Sequence, residues 1–275
     1  MKYFFLLLCS VTLFACADFE NEIEVDLPDY EAQYVVESYL DPGQPFRVLL
    51  TRSDGFFSAF PTDNDQFLEN LLVTEADVSI SYNGEKVELE PQLDFDFATG
   101  KLYNFSNSSP VPTDFRGPYD LSIELPDGTS LSATTSILEP VSIDSVIVEK
   151  AESDSLYRAL TYLTDATDEV NYYRRQLHVN SFDSLYQSFS TPDDFLDNEV
   201  LAFGTAFDFV PGDTLYNTVY HIDRTYYDFL ISIDNAESSN GNPFGTPGVI
   251  LGNIEGGVGI FTGLSYDRDT QYVAR

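Results

Sequence analysis

Apolar and polar positions alternate along most of this chain in short runs, which is the pattern of half-buried β-strands. Residues 32–40 (AQYVVESYL) and 46–52 (FRVLLTR) are rich in β-branched and aromatic side chains, and Asp41-Pro42-Gly43 between them has the chemistry of a turn. Asp77 to Tyr82 places Val78, Ile80 and Tyr82 on one face, and Asn83-Gly84 then predicts a tight hairpin returning through Val87 and Leu89. Tyr119–Leu125 and Thr129–Ile137 flank Asp127-Gly128, a second hairpin signal. Short strands at this spacing predict an immunoglobulin-like β-sandwich over residues 30–138. Glu139-Pro140 reads as a linker, and Val141–Lys150, Tyr157–Leu163, Asn171–Val179, Val200–Phe203 and Thr214–Ile222 as further strands. One helix is expected at Arg224–Ala236, with Asp223 as its N-cap and Tyr227, Leu230 and Ile231 on a common face. Residues 139–275 are therefore expected to form a second β-rich domain with one short helix. The stretches 53–76 and 180–198 read as long loops.

The N-terminus departs from this pattern. Lys2 is followed by an almost unbroken apolar run, Phe4 to Phe14, which stops short of the roughly 20 residues needed to cross a bilayer. It ends in Leu13-Phe14-Ala15-Cys16 and so reads as a secretory signal closing on a cysteine. This resembles the bacterial lipobox, with residues 1–15 removed and Cys16 lipidated. Several acyl chains, at ~0.8 kcal/mol per buried methylene, would hold the protein on a membrane. Residues 16–29 then form an acidic tether, in which Asp18, Glu20 and Glu22 resemble the export signal that sends lipoproteins of Bacteroidota to the cell surface. The expected location is the outer membrane, lipid-anchored and facing outward.

Composition narrows the chemistry. With 46 Asp and Glu against 13 Lys and Arg, the net charge of −33 repels nucleic acid and anionic headgroups. Hydrophobic residues make up 43%, which is too apolar for a disordered acidic tail. Cys9 falls in the signal and Cys16 under the lipid, so no thiol remains for a disulfide, a nucleophile or a metal. His178 and His221 are the only imidazoles, and both lie in strand-like segments. His178 follows Arg174 and Gln176 at period two and is expected to share their face with Tyr172. No GxSxG, HExxH or P-loop motif is present, and the reading is a non-enzymatic protein without a cofactor. Oxygen-rich stretches at Asp63-Asn64-Asp65, Asp94-Phe95-Asp96, Asp165–Glu169 and Asp193-Asp194 leave Ca²⁺ as the one metal to weigh. Asp63-x-Asp65 opens like an EF-hand loop, but Phe67 stands at the next ligand position, and a solvated loop is the default reading.

Residues 238–263, SSNGNPFGTPGVILGNIEGGVGIFTG, resemble the C-terminal signature of the DUF4249 lipoproteins of Bacteroidota. Residues 23–53 resemble the opening of the same family, and the GPYDLSIELPDG segment and the Ile143–Val146 strand follow in its order. The resemblance implies a surface lipoprotein often encoded beside TonB-dependent receptors, with no established catalytic activity. Within the tail, Asn242, Pro243 and Phe244 are candidate partner-docking residues, set against a structural reading in which the signature closes the second domain's core. Asp followed by a hydroxyl residue and an aliphatic one recurs, so Ser145, Ser155, Ser184 and Thr214 resemble O-glycosylation sites of exported proteins in Bacteroidota. The expected function is an accessory or ligand-capture subunit of a TonB-dependent transporter. The alternatives are a structural or adhesive surface protein, an accessory of outer-membrane assembly, and direct carbohydrate binding.

Overall fold

Among the described residues there are fifteen strands and one long helix, and twelve of the strands lie where the sequence pattern predicts them. The computed structural model describes residues 31–53, 68, 70–96, 99–152, 155–164, 169–194, 200–239 and 248–274. The first seven strands are β1 (Tyr34–Leu40), β2 (Pro45–Arg52), β3 (Asp77–Tyr82), β4 (Glu85–Asp96), β5 (Lys101–Pro110), β6 (Pro118–Glu124) and β7 (Ser130–Ser136). They are followed by β8 (Ser145–Lys150), β9 (Tyr157–Thr164), β10 (Tyr172–Val179), β11 (Leu185–Pro192), β12 (Val200–Gly204) and β13 (Thr214–Ile222). The helix α1 (Arg224–Ser239) precedes β14 (Val258–Gly263) and β15 (Ser265–Tyr272). The chain is mainly β, as expected.

Three sheets organise these strands. An eight-stranded sheet has the order β14-β1-β2-β5-β4-β3-β6-β7, a four-stranded one β11-β10-β13-β15, and a three-stranded one β12-β9-β8. The first sheet curls until its edges meet, where Ser132 and Glu255 exchange backbone hydrogen bonds of 3.2 and 2.8 Å. It wraps a core that includes Val36, Phe46, Phe105, Tyr119, Ile123 and Phe261. The smaller sheets face one another across Ala159, Leu177 and Leu215 at one end and Leu163, Tyr173 and Val219 at the other.

Both hairpins form, by different turns. Asn83 and Gly84 both take positive φ (48° and 81°), the two-residue turn that matches strand twist. At Asp127-Gly128 only the glycine does (φ 87°), and Leu125 pairs with Thr129 around a three-residue loop. The tail strand is present at Val258–Gly263 and packs both ways, Phe261 into the core of the first sheet and Ile260 against Ile222, Tyr226 and Phe229 of the 139–275 region. It runs parallel to β1 in the first sheet, with Val36 opposite Gly259 and Ser38 opposite Phe261. Its glycines explain the placement, since a Cβ at Gly259 would lie 1.9 Å from the Val36 carbonyl oxygen and one at Gly263 2.6 Å from that of Ser136. The Asn253 side chain completes the outer edge by accepting from Phe261 N–H (2.9 Å) and donating to Phe261 C=O (2.8 Å), as a strand neighbour would.

Three strands had no counterpart in the sequence reading: β5, β11 and β15. In β5, Asn104 is buried and takes over backbone duties, accepting from Leu50 N–H (2.7 Å) and donating to the carbonyls of Leu50 (2.9 Å) and Val73 (2.6 Å). The expected helix forms, and Asp223 Oδ1 caps it by accepting from Tyr226 N–H at 2.7 Å. Its buried face is turned by one position from the one expected, with Tyr226, Phe229 and Ser232 inward. Apolar residues occupy both positions of the pairs 226/227 and 229/230, so periodicity alone does not choose between them.

Candidate functional site

The principal cleft, of about 700 Å³, lies between the β1, β2 and β5 region of the first sheet and the outer face of the four-stranded sheet. Period two puts alternate residues of each strand on this face. In β10 these are Arg174, Gln176 and His178, the same-face set expected from the sequence. In β13 and β15 they include Tyr220 and Arg268. The register sets Arg174 opposite Tyr220, and Tyr220 opposite Tyr266. The opposing wall carries Tyr39, Asp41, Arg47, Lys101 and Tyr103.

The two walls differ in how their charges are matched. On the first-sheet wall, Arg47 Nε lies 2.6 Å from Asp94 Oδ2 and its Nη1 3.5 Å from Asp96. Lys101 Nζ pairs with Glu37 at 2.5 Å and sits 4.6 Å from the centre of the Tyr39 ring. On the opposite wall, Arg174 donates to Ser188 Oγ (3.2 Å) and to the Tyr226 hydroxyl (2.8 Å). Arg268 donates from Nε to Thr218 Oγ1 (2.8 Å) and lies between the rings of Phe182 (4.6 Å) and Tyr266 (5.3 Å). Among the described residues, neither arginine makes an ion pair with a carboxylate.

Desolvation sets the protonation of the cleft. Burial raises the Asp41 carboxyl to about 6, opposed by the field of Arg268. Burial pushes the Tyr220 hydroxyl up to about 12, against the pull of Arg268 and Arg174. Tyr39, Tyr103 and Tyr226 are raised chiefly by the same cause, so these tyrosines stay neutral hydroxyls at physiological pH. His178 is held below its ordinary value by burial and then by Arg268, which favours the neutral imidazole. Its buried Nδ1 has no hydrogen-bond partner among the described residues. His221 sits elsewhere, with Nδ1 2.8 Å from the Glu139 carbonyl and Nε2 3.2 Å from Asn171 Oδ1. A more open hollow of about 500 Å³ near Arg116 and Thr134 includes Asp223, which is already committed to capping α1.

The acidic stretches weighed for Ca²⁺ are engaged in other ways where they are described. Asp94 and Asp96 hold Arg47, and Asp193 accepts from the Asn171 N–H through both oxygens at 3.0 Å. Among the described residues, no three His, Cys, Asp or Glu side chains converge to hold a metal. Asp63–Asp65 and residues 165–168 lie outside the described residues, as do Cys16, Asp18, Glu20, Glu22, Asn242, Pro243 and Phe244. Of the glycosylation candidates, Ser145, Ser155 and Ser184 are exposed and Thr214 is half-buried. No described helix is long and apolar enough to cross a membrane.

Sequence reasoning grouped Arg174, Gln176 and His178 but missed Arg47, Lys101 and Arg268. The available signal was scarcity. The chain has only 13 Lys and Arg, and four of them line this cleft.

Comparison with known families places the chain directly. It belongs to the DUF4249 family, a domain of unknown function, whose model matches residues 20–270. No curated protein matches it. Among solved structures it is similar to trypsin-activated alpha-2-macroglobulin from Escherichia coli, at 10% identity and a TM-score of 0.24 over 73% of this chain. It spans 15% of the length of that protein. It is also similar to a two-domain fibronectin type III segment from chicken tenascin, at 11% identity and a TM-score of 0.20, covering 70% of this chain and 91% of that one.

Proposed function

We propose that this protein is a non-enzymatic binding protein, anchored through Cys16 to the outer membrane and facing outward, that captures a ligand as an accessory of a TonB-dependent transporter. The observation that carries the reading is the cleft between the first sheet and the four-stranded sheet, with four cations and several tyrosines in an otherwise strongly acidic chain. A volume of about 700 Å³ is in the range of small-molecule sites. Its groups suit holding better than bond making. The tyrosine hydroxyls are raised and so donate hydrogen bonds rather than abstract protons. Arg47 and Lys101 are fixed by carboxylates, which orients them without activating a nucleophile. The lipobox-like Leu13–Cys16 supports the anchor, and confinement to a surface raises effective concentration, so modest intrinsic affinity suffices.

The test is affinity purification of the native lipidated protein from outer membranes in mild detergent, with partners identified by mass spectrometry. One stoichiometric TonB-dependent receptor is the expected result. Recovery of the protein alone would overturn the stable-complex reading and favour an adhesive or free-standing binder.

A further inference from the structure

The cleft's asymmetry indicates what it holds. Arg174 and Arg268 stand on strands separated by β13, two residues apart in register, which puts their Cα atoms about 12 Å apart. Both side chains line the same cleft, with Tyr220 on the strand between them. Each is steered by partners that are neutral among the described residues (Ser188 and Tyr226 for one, Thr218 and two aromatic rings for the other). Two positioned guanidinium groups with no described carboxylate at ion-pair distance are a receptor for an oxyanion.

The wall opposite limits which oxyanion fits. Asp41 faces Arg268 across the cleft without reaching ion-pair distance, and Asp96 stands beside Arg47. A group with two charges on one centre, such as hydrogenphosphate, would be repelled by these carboxylates more strongly than a lone carboxylate or two carboxylates on separate rings, and the field of a −33 chain adds to that repulsion. A single carboxylate on a body rich in hydroxyls meets about half that repulsion at its charged centre, and its hydroxyls offset it by donating hydrogen bonds to the carboxylates of the wall. The tyrosines add ring faces for C–H surfaces and hydroxyls for polar ones.

We infer that the cleft binds a carboxylate-bearing saccharide, its acid group held between Arg174 and Arg268 and its hydroxyls by the carboxylates and tyrosines of the opposite wall. This inference rests on the ligand-capture reading and specifies its ligand class. An uronic acid residue within an oligosaccharide has the required chemistry.

The experiment is isothermal titration of the full lipidated protein in detergent micelles. The probes are digalacturonate, the neutral digalactose of the same linkage, inorganic phosphate, and a dipeptide of two aspartates. Digalacturonate is expected to bind at least about tenfold more tightly than digalactose, the scale of a charge-assisted hydrogen-bond pair. Arg174→Gln and Arg268→Gln should each abolish that preference with unchanged circular dichroism. Arg224→Gln, on the exposed start of α1, should preserve it. If either glutamine variant misfolds, Arg174→Lys and Arg268→Lys replace it and should weaken binding of the acidic sugar selectively. Equal binding of the two sugars, tighter binding of phosphate or the dipeptide, or no binding of digalacturonate would each overturn the inference. A copurifying receptor without uronide binding would sink only this inference. Uronide binding without a receptor would sink only the transporter role.

Discussion

Replacing Gly259 with alanine tests why the tail strand is built as it is. Gly259 has φ +121°, and a Cβ there would lie 1.9 Å from the Val36 carbonyl oxygen. An ordinary carbon–oxygen approach is about 3.3 Å or more, so one backbone must retreat by more than about 1 Å. Retreat of β14 from β1 weakens the parallel ladder around Val36, where two or three hydrogen bonds at about 1 kcal/mol each are at stake. It also loosens Ile260 and Phe261, both 0% exposed. Adding about 1 kcal/mol for a side chain at positive φ, the expected loss is about 3–5 kcal/mol, a large part of a typical domain's stability. Gly128→Ala is the control, because Gly128 also has positive φ (+87°) but nothing within 4 Å of the added atom. It should cost about 1 kcal/mol. Urea unfolding followed by circular dichroism measures both, and the difference between them isolates the clash from the backbone strain. If Gly259→Ala costs no more than Gly128→Ala, the close approach of β14 to β1 is not what the glycine serves.

Two further substitutions probe the interior. Asp41 has a folded pKa of about 6, above its unfolded value of about 3.9, so the folded state keeps the proton longer and stability falls as pH rises between those values. Asp41→Asn should therefore stabilise by about 1–2 kcal/mol at pH 7.5 and by nothing at pH 3.5 in paired urea titrations, and an equal gain at both would refute the burial argument. Arg175, 1% exposed, donates to Asn217 Oδ1 (3.1 and 2.7 Å) and Gln187 Oε1 (2.6 Å), and burial lowers its pKa to about 10. Arg175→Met should cost about 2–4 kcal/mol by stranding those oxygens, while Arg175→Met with Asn217→Leu should recover most of it, read as a double-mutant cycle in the same assay.

Where the sequence was legible, one face of each strand is dry. β6 and β7 alternate without exception between buried and exposed positions until Ser136, and both were read correctly. β5 and β15 were not, for a shared reason. In KLYNFSNSSP a buried Asn104 replaces an apolar residue, and Lys101 and Tyr103 line the cleft. In SYDRDTQY one face carries Arg268 over the cleft and the other carries Asp267, which accepts from Ile143 N–H. β5 keeps only Tyr103 and Phe105 as buried apolar residues and β15 keeps none, which leaves too short a period-two hydrophobic signal to read. β11 fails differently. It is an edge strand with most of its residues exposed or half-buried, and nothing in LYQSFSTP demands a core. The parallel pairing of β1 with β14 joins segments more than two hundred residues apart and leaves only glycine spacing as its trace.

The same observation bears on function. Local rules of sequence and structure agree wherever a segment only has to fold, and they fail where a segment has another task. Two of the three strands invisible to pattern carry two of the cleft's four cations, Lys101 and Arg268, on opposite walls. The chain could have matched those charges cheaply, since it has 46 acidic residues to place. It matches Arg47 and Lys101, yet surrounds Arg174 and Arg268 with hydroxyls and rings. Among the described residues neither the half-buried Arg174 nor the exposed Arg268 has a carboxylate at ion-pair distance, so both charges remain open to a ligand in the cleft. In the proposed reading the ligand's own carboxylate supplies the partner that the described residues do not, which is why the arginine variants and not the Arg47 or Lys101 pairs are the test of it.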